Sequence, residues 1–196
     1  MQRVLSKRSL HLLSFTTLWL AFLAGSAQVP PTPGSDDGKL VADFKQRAKQ
    51  YLDWRDKTVG KLPPPANSPQ KIVAARHELA NKVRVARAGA PQGQIFTPEI
   101  ADYFRRQIAK TMNGRYGGRI RSSLRNSEPT KMELQVNQSY PEKVPLQSTP
   151  PTLLLNLPEL PKGLEYRILY RELVLRDSGA NIVVDYIPNA FPGASK

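Results

Sequence analysis

The chain has 196 residues, 23% of them charged and 40% hydrophobic, with 18 Pro and a formal net charge of +13. That length supports one domain, or one domain with an extension, closing its own core. The chain has no Cys, which excludes disulfides, thiol catalysis and Cys-ligated zinc, and suits an exported bacterial protein better than a eukaryotic secreted domain.

The first stretch reads as a signal peptide over 1–27. Arg3, Lys7 and Arg8 form a basic start, Leu12 to Leu23 an apolar core, and Gly25-Ser26-Ala27 small residues for cleavage before Gln28. A membrane-spanning helix needs roughly 20 apolar residues. This core is shorter and runs into Pro30, Pro31 and Pro33, so no transmembrane helix is expected after leader cleavage. The expected location is the periplasm or the medium. Residues 28–38, rich in Pro, Gly and Asp, read as a disordered linker.

A basic helical region over 39–129 follows. Leu40, Val41, Phe44, Ala48, Tyr51 and Leu52 recur at helical spacing, predicting a helix over about 38–58 with Asp36 or Asp37 capping it. Ser68-Pro69 opens a second helix. Its stripe is Ile72, Val73, Ala75, Leu79, Val83 and Ala86, a narrow seam, and Gly89 stops it. Thr97-Pro98-Glu99 opens a third helix, with Ile100, Tyr103, Phe104, Ile108 and Met112 on its apolar face and Asn113-Gly114 at its end. The Gly-rich basic stretch 115–125 reads either as a short helix from Ile120 or as irregular chain.

A small β-rich region over 130–191 completes the chain. Met132, Leu134 and Val136 alternate with polar residues and predict a short strand ending at Tyr140-Pro141. Leu153 to Leu157 predicts a turn or two of helix, cut by Pro158. A C-terminal β-hairpin follows. Its first arm covers Glu165 to Leu169 and, after a bend, Glu172 to Asp177; Ser178-Gly179-Ala180-Asn181 forms the turn and Ile182 to Ile187 the second arm. The expected fold class is α+β, three helices followed by a small antiparallel sheet. The alternative division takes residues 28–196 as one domain. A hairpin alone is marginal in water, so the sheet face of Leu134, Val136, Tyr166, Ile168, Val174, Ile182, Val184 and Ile187 needs a cover, for which the third helix is the candidate.

Charge divides unevenly. Residues 28–129 carry 19 Lys and Arg against 9 Asp and Glu, whereas residues 130–196 carry 7 of each. The excess is densest at Arg105, Arg106, Lys110, Arg115, Arg119, Arg121 and Arg125, seven cations with no acid between them. In an exported protein this run disfavours nucleic acid and points to an anionic envelope component: a lipid headgroup, lipopolysaccharide or an acidic protein. For the run itself the plainer account, a solvated basic face with Tyr103 and Phe104 as core residues, carries the greater weight.

Catalytic signals are sparse. His77 is the single His after the leader and reads as a surface residue. No metal-ligand spacing, cofactor fingerprint or nucleophile elbow accompanies it. Asp53 and Asp56 read as helix-surface ion pairs, Asp177 as a turn residue and Asp185 as solvent-facing. Asn113 to Arg119 follows a helix rather than a strand, the wrong context for a phosphate loop. No cofactor, metal or catalytic residue is assigned. The leading expectation is a non-enzymatic binding or structural protein; the alternatives are a small periplasmic hydrolase, or a partner or inhibitor of a secreted enzyme.

Leu160 to Arg167, Leu173 to Asp177 and Asn181 to Ile187 resemble a family of small uncharacterised exported bacterial proteins. Residues 158–187 are also similar to the terminal hairpin of periplasmic proteins associated with nickel and cobalt homeostasis. The ligand residues of that second family have no counterpart here, so the resemblance implies a hairpin and not a metal.

Overall fold

The computed structural model describes residues 35–60, 68–125, 133–140 and 150–191. The leader, the linker up to residue 34, and Met132 lie outside these. The element order is α1 (Ser35–Thr58), α2 (Pro69–Ala86), α3 (Pro98–Asn113), α4 (Gly117–Arg125), a single turn α5 (Pro151–Leu154), then β1 (Leu164–Leu169), β2 (Glu172–Asp177) and β3 (Ile182–Ile187). The fold is α+β, with an antiparallel sheet of order β1-β2-β3. All described residues fall within one compact unit, Thr32–Lys196.

Each helix starts and stops for local reasons. α1 takes in residues 35–38, so that part of the expected linker is helical. Asp36 and Asp37 lie inside its first turn, where their charge opposes the positive end of the helix dipole. Phe44, Ala48, Tyr51, Leu52 and Arg55 bury one stripe at helical spacing. α2 opens on Ser68-Pro69, as expected; Ser68 is extended, and its hydroxyl donates to Gln70 Oε1 instead of capping the helix. Of the α2 stripe only Leu79 and Val83 are buried, joined by Ala80, against Ala180 and Ile182. Ile72 and Val73, at the start of the stripe, stay exposed. The α3 boundaries match the expectation: Thr97 Oγ1 accepts from Ile100 N, and Gly114 caps the end.

Beyond α3 the chain reverses tightly. An added Cβ at Gly117 would lie 1.6 Å from the Met112 carbonyl oxygen, so only Gly fits. The helix that follows begins there, three residues before the expected start at Ile120. Ile120 and Leu124 are its buried contacts.

The sheet differs from expectation in three ways. The segment 165–177 is not one bent arm. It is a complete hairpin, β1 with β2, closed at Tyr170-Arg171, with Tyr170 at φ +56° in the left-handed region. Turn chemistry is absent from the sequence there, so alternation alone suggested continuity. The backbone of Phe191 and Asn189 holds this turn, donating to the Arg171 carbonyl and the Glu172 carboxylate. Second, Leu134 to Val136 forms no strand. Asn137 at φ +67° breaks the extended run, and pairing to β3 begins only there. Asn137 N donates to Val183 O, Val183 N to Gln138 O and Tyr140 N to Asn181 O, which covers the edge of β3.

The third difference concerns the two faces. Tyr166, Ile168, Val184 and Ile187 join Leu164, Leu173 and Leu175 under the helices, as part of a cluster that includes Phe44, Phe96, Ile100, Phe104 and Ile108. The α3 cover expected for the sheet is therefore present, with α1 beside it. Phe44 packs edge-on to Phe104 and stacks against Phe96 at its centre. Val174 and Val183 face the other way, against Leu134, Tyr140 and Leu169. A bulge at Leu175/Arg176 inserts Val184 as an extra residue, so that Val183 and Tyr186, three apart, reach one cluster and Val184 and Ile187 the other.

Candidate functional site

The seven cations at 105–125 do not form one patch. Arg105 pairs with Asp102 at 2.8 Å and donates to the Pro188 carbonyl, joining α3 to the end of β3. Arg106 pairs with Asp37 at 2.9 Å, joining α3 to α1, and lies over the Tyr103 ring. Arg121 donates to the Met112 carbonyl at 2.6 Å, satisfying the open end of α3. The side chain of Arg125 lies outside the described residues. Lys110, Arg115 and Arg119 are exposed, with no acidic partner within ion-pair distance among the described residues.

Two of these three share a cleft. The α3 end supplies Gln107, Lys110 and Thr111, the tight reversal supplies Gly114, Arg115 and Tyr116, and the chain after α5 supplies Leu155 and Asn156. The open space is about 370 Å³ and no acid lines it. Arg115 lies over the Tyr116 ring at 5.8 Å, which keeps the guanidinium and the ring on one side of the opening. Gly117 makes this geometry possible by letting α4 start against the last turn of α3. The arrangement can attract and hold an anion. Its lining carries no carboxylate and no His.

The other sequence candidates take structural places. His77 is exposed on α2. Asp53 pairs with Lys49 on the α1 surface, and Asp56 pairs with Arg55. Among the described residues no group of three or more His, Asp or Glu has metal-holding geometry.

Asp185 corrects the sequence reading most sharply. It is fully buried, on the helix-facing side of β3. Its Oδ1 accepts from Gly93 N and Tyr186 N, both at 2.9 Å, and its Oδ2 from Ile95 N at 2.7 Å and Phe96 N at 2.9 Å. The carboxylate thus ties the loop between α2 and α3 to the sheet. Its alternation with Val184 suggested solvent, but Ile182-Val183-Val184-Asp185-Tyr186-Ile187 is a nearly continuous apolar run, the pattern of a strand covered on both faces. An acid inside such a run has to find partners.

Asp177 forms a second buried centre. Its Oδ1 accepts from Gly179 N and Ala180 N, the turn role expected of it. Its Oδ2 accepts from Arg55 Nη1 at 2.8 Å and from the Tyr51 hydroxyl at 2.9 Å, which the sequence did not suggest. Burial, and then the Asp177 charge, push the Tyr51 hydroxyl far above the usual phenol range, so it stays a donor.

Tyr51 also lines a cleft of about 480 Å³ with Arg47, Trp54, Arg87 and Gln94. Arg87 stacks over the Tyr51 ring and donates to Asn137 Oδ1, the Val184 carbonyl and Gln94 Oε1. Burial lowers its pKa. Arg47 is held by Asp43 and the Gln94 carbonyl. These cations brace the α2–α3 loop, whereas Lys110 and Arg115 have no such duty. Comparisons with protein-family models, curated proteins and solved structures found no match to this chain.

Proposed function

We propose that the protein is a non-enzymatic binding component of the bacterial envelope, periplasmic or secreted, that holds an anionic partner through Lys110, Arg115 and Arg119. One observation carries this reading. The fold engages Arg105, Arg106 and Arg121 in its own contacts, while these three stay exposed and two of them line one acid-free cleft. A hydrolytic reading draws nothing from the deeply set carboxylates, since both oxygens of Asp177 and of Asp185 accept structural hydrogen bonds.

Basic residues near an anionic surface contribute about 1 kcal/mol each. Three give binding that is useful at low ionic strength and screened as the Debye length falls from ~10 Å at 0.1 M salt to ~3 Å at 1 M. Co-sedimentation of the protein with anionic vesicles is therefore expected to be strong at low salt and to fall steeply as salt is raised. Absence of binding at low salt would sink the proposal.

A further inference from the structure

We infer that the anionic partner is the surface of a lipid bilayer, entered by Leu154 and Leu155; this rests on the electrostatic reading above and adds what lies beneath the charge. α5 is a single turn that follows Pro150 and starts at Pro151. Leu153 is fully buried and Leu157 is 8% exposed, and they anchor the turn on the core. Between them Leu154 is 40% exposed and Leu155 84%. Tyr116, beside them in the basic cleft, is 45% exposed.

A single exposed Leu is ordinary on a protein surface. Two adjacent leucines on an anchored turn, flanked by Lys110, Arg115 and Tyr116, are a different composition. Leu155 lines the basic cleft and also an apolar groove of about 620 Å³ that Leu157 and Leu160 line on its other side. The ridge is thus apolar at its crest and cationic on one flank.

That order matches a bilayer interface, where anionic headgroups lie outside and acyl chains within. Interfacial segments combine Lys or Arg at headgroup level with Leu a few ångströms deeper, and Tyr sits at the boundary. The long stems of Lys110 and Arg115 let their charges stay in the headgroup layer while the leucines descend. A free phosphate would satisfy the cations and leave the leucines in water. An acidic protein would need an apolar socket inside its own charged surface. The carboxylates near the ridge lie on the groove side. Glu165 is tied to Arg167 and Arg176, and Glu159 is exposed at the groove rim, so the cleft side approaches the membrane first.

The absence of Cys in the chain allows a single reporter. Leu155→Cys, carrying an environment-sensitive fluorophore, would be mixed with phosphatidylglycerol vesicles and with phosphatidylcholine vesicles. Val85→Cys, at a position 80% exposed on α2, is the control. The expected result is a blue shift and several-fold rise in emission at position 155 with phosphatidylglycerol vesicles alone. No change is expected at position 85, and the response at 155 should vanish in Lys110→Glu/Arg115→Glu. Because the reporter is local, a leader that tethers the whole chain to vesicles does not imitate this pattern. If the label at 155 stays in water while the protein still sediments with phosphatidylglycerol vesicles, insertion is wrong and the electrostatic reading survives. If nothing sediments at low salt, both fall. An equal response on phosphatidylcholine overturns the requirement for anionic lipid.

Discussion

Asp185→Ala is expected to lower the stability of the fold by about 3–5 kcal/mol, because a buried N–H left without a partner costs ~1–3 kcal/mol. The carboxylate serves four backbone donors, those of Gly93, Ile95, Phe96 and Tyr186. Ile95 and Phe96 are themselves core residues, so the loop cannot simply swing out and hydrate its amides without exposing both side chains. The loss is therefore split between unpaired donors and lost apolar burial. Asp185→Asn keeps one acceptor oxygen but turns an NH₂ group towards two N–H donors, and is expected to lose nearly as much. Urea unfolding reads the effect as a lower midpoint with an unchanged slope. A loss below about 1 kcal/mol for Asp185→Ala, an ordinary value for a surface change or a mild substitution, would mean that the loop is not held by this carboxylate.

The second large effect lies at Asp177 and Arg55. Asp177 is fully buried and the Arg55 side chain is 6% exposed. Removing one partner of a buried ion pair costs roughly 3–5 kcal/mol, because the other charge stays in a medium that solvates it poorly. Asp177→Asn retains an oxygen for Gly179 N and Ala180 N while removing the charge, so it isolates the pair from the turn. Arg55 keeps Asp56 as a neighbour, at 2.7 Å with a partly exposed carboxylate, which places the expected loss at the lower end, about 3 kcal/mol. Arg55→Met strands the Asp177 carboxylate with the Tyr51 hydroxyl and is expected to cost at least as much. The double variant should lose clearly less than the sum, by ~0.5–3 kcal/mol of coupling. Additive losses would contradict a direct pair.

These two centres explain why part of the architecture was legible and part was not. Helix boundaries were readable where a local signal sets them. Thr97-Pro98 starts α3 and Gly114 ends it because capping and φ restriction act within a few residues. The β2–β3 hairpin was readable for the same reason, with Ser178 to Asn181 supplying the turn and Asn181 at φ +53°. The hairpin before it was hidden because Tyr170 takes a left-handed position that its own side chain does not announce, and the stabilising contacts come from Asn189 and Phe191, far along the chain. The Leu134 segment failed as a strand because Asn137 turns the backbone to meet Arg87, a contact 50 residues distant. The burial of Asp185 is not legible because simple alternation fails on a strand that is covered on both faces and bulged beside it. For the candidate site, the sequence marks seven cations and has no means of dividing them. Separating Arg105, Arg106 and Arg121 from Lys110 and Arg115 depends on Pro188, Asp37 and Met112, partners that only the fold brings near. The leucines after Pro151 predict a short helix, and nothing in their spacing tells an anchoring Leu153 from a protruding Leu155.

The division between cations that hold the fold and cations that are free to bind is tested most directly by Lys110→Glu/Arg115→Glu/Arg119→Glu, assayed for low-salt sedimentation with phosphatidylglycerol vesicles while its urea midpoint is followed. Reversing three exposed charges that have no acidic partner among the described residues should leave stability within about 0.5 kcal/mol for each position, the usual range for surface substitutions. The predicted result is a folded protein that no longer sediments with the vesicles. A triple variant that folds and binds as the parent does would contradict the account.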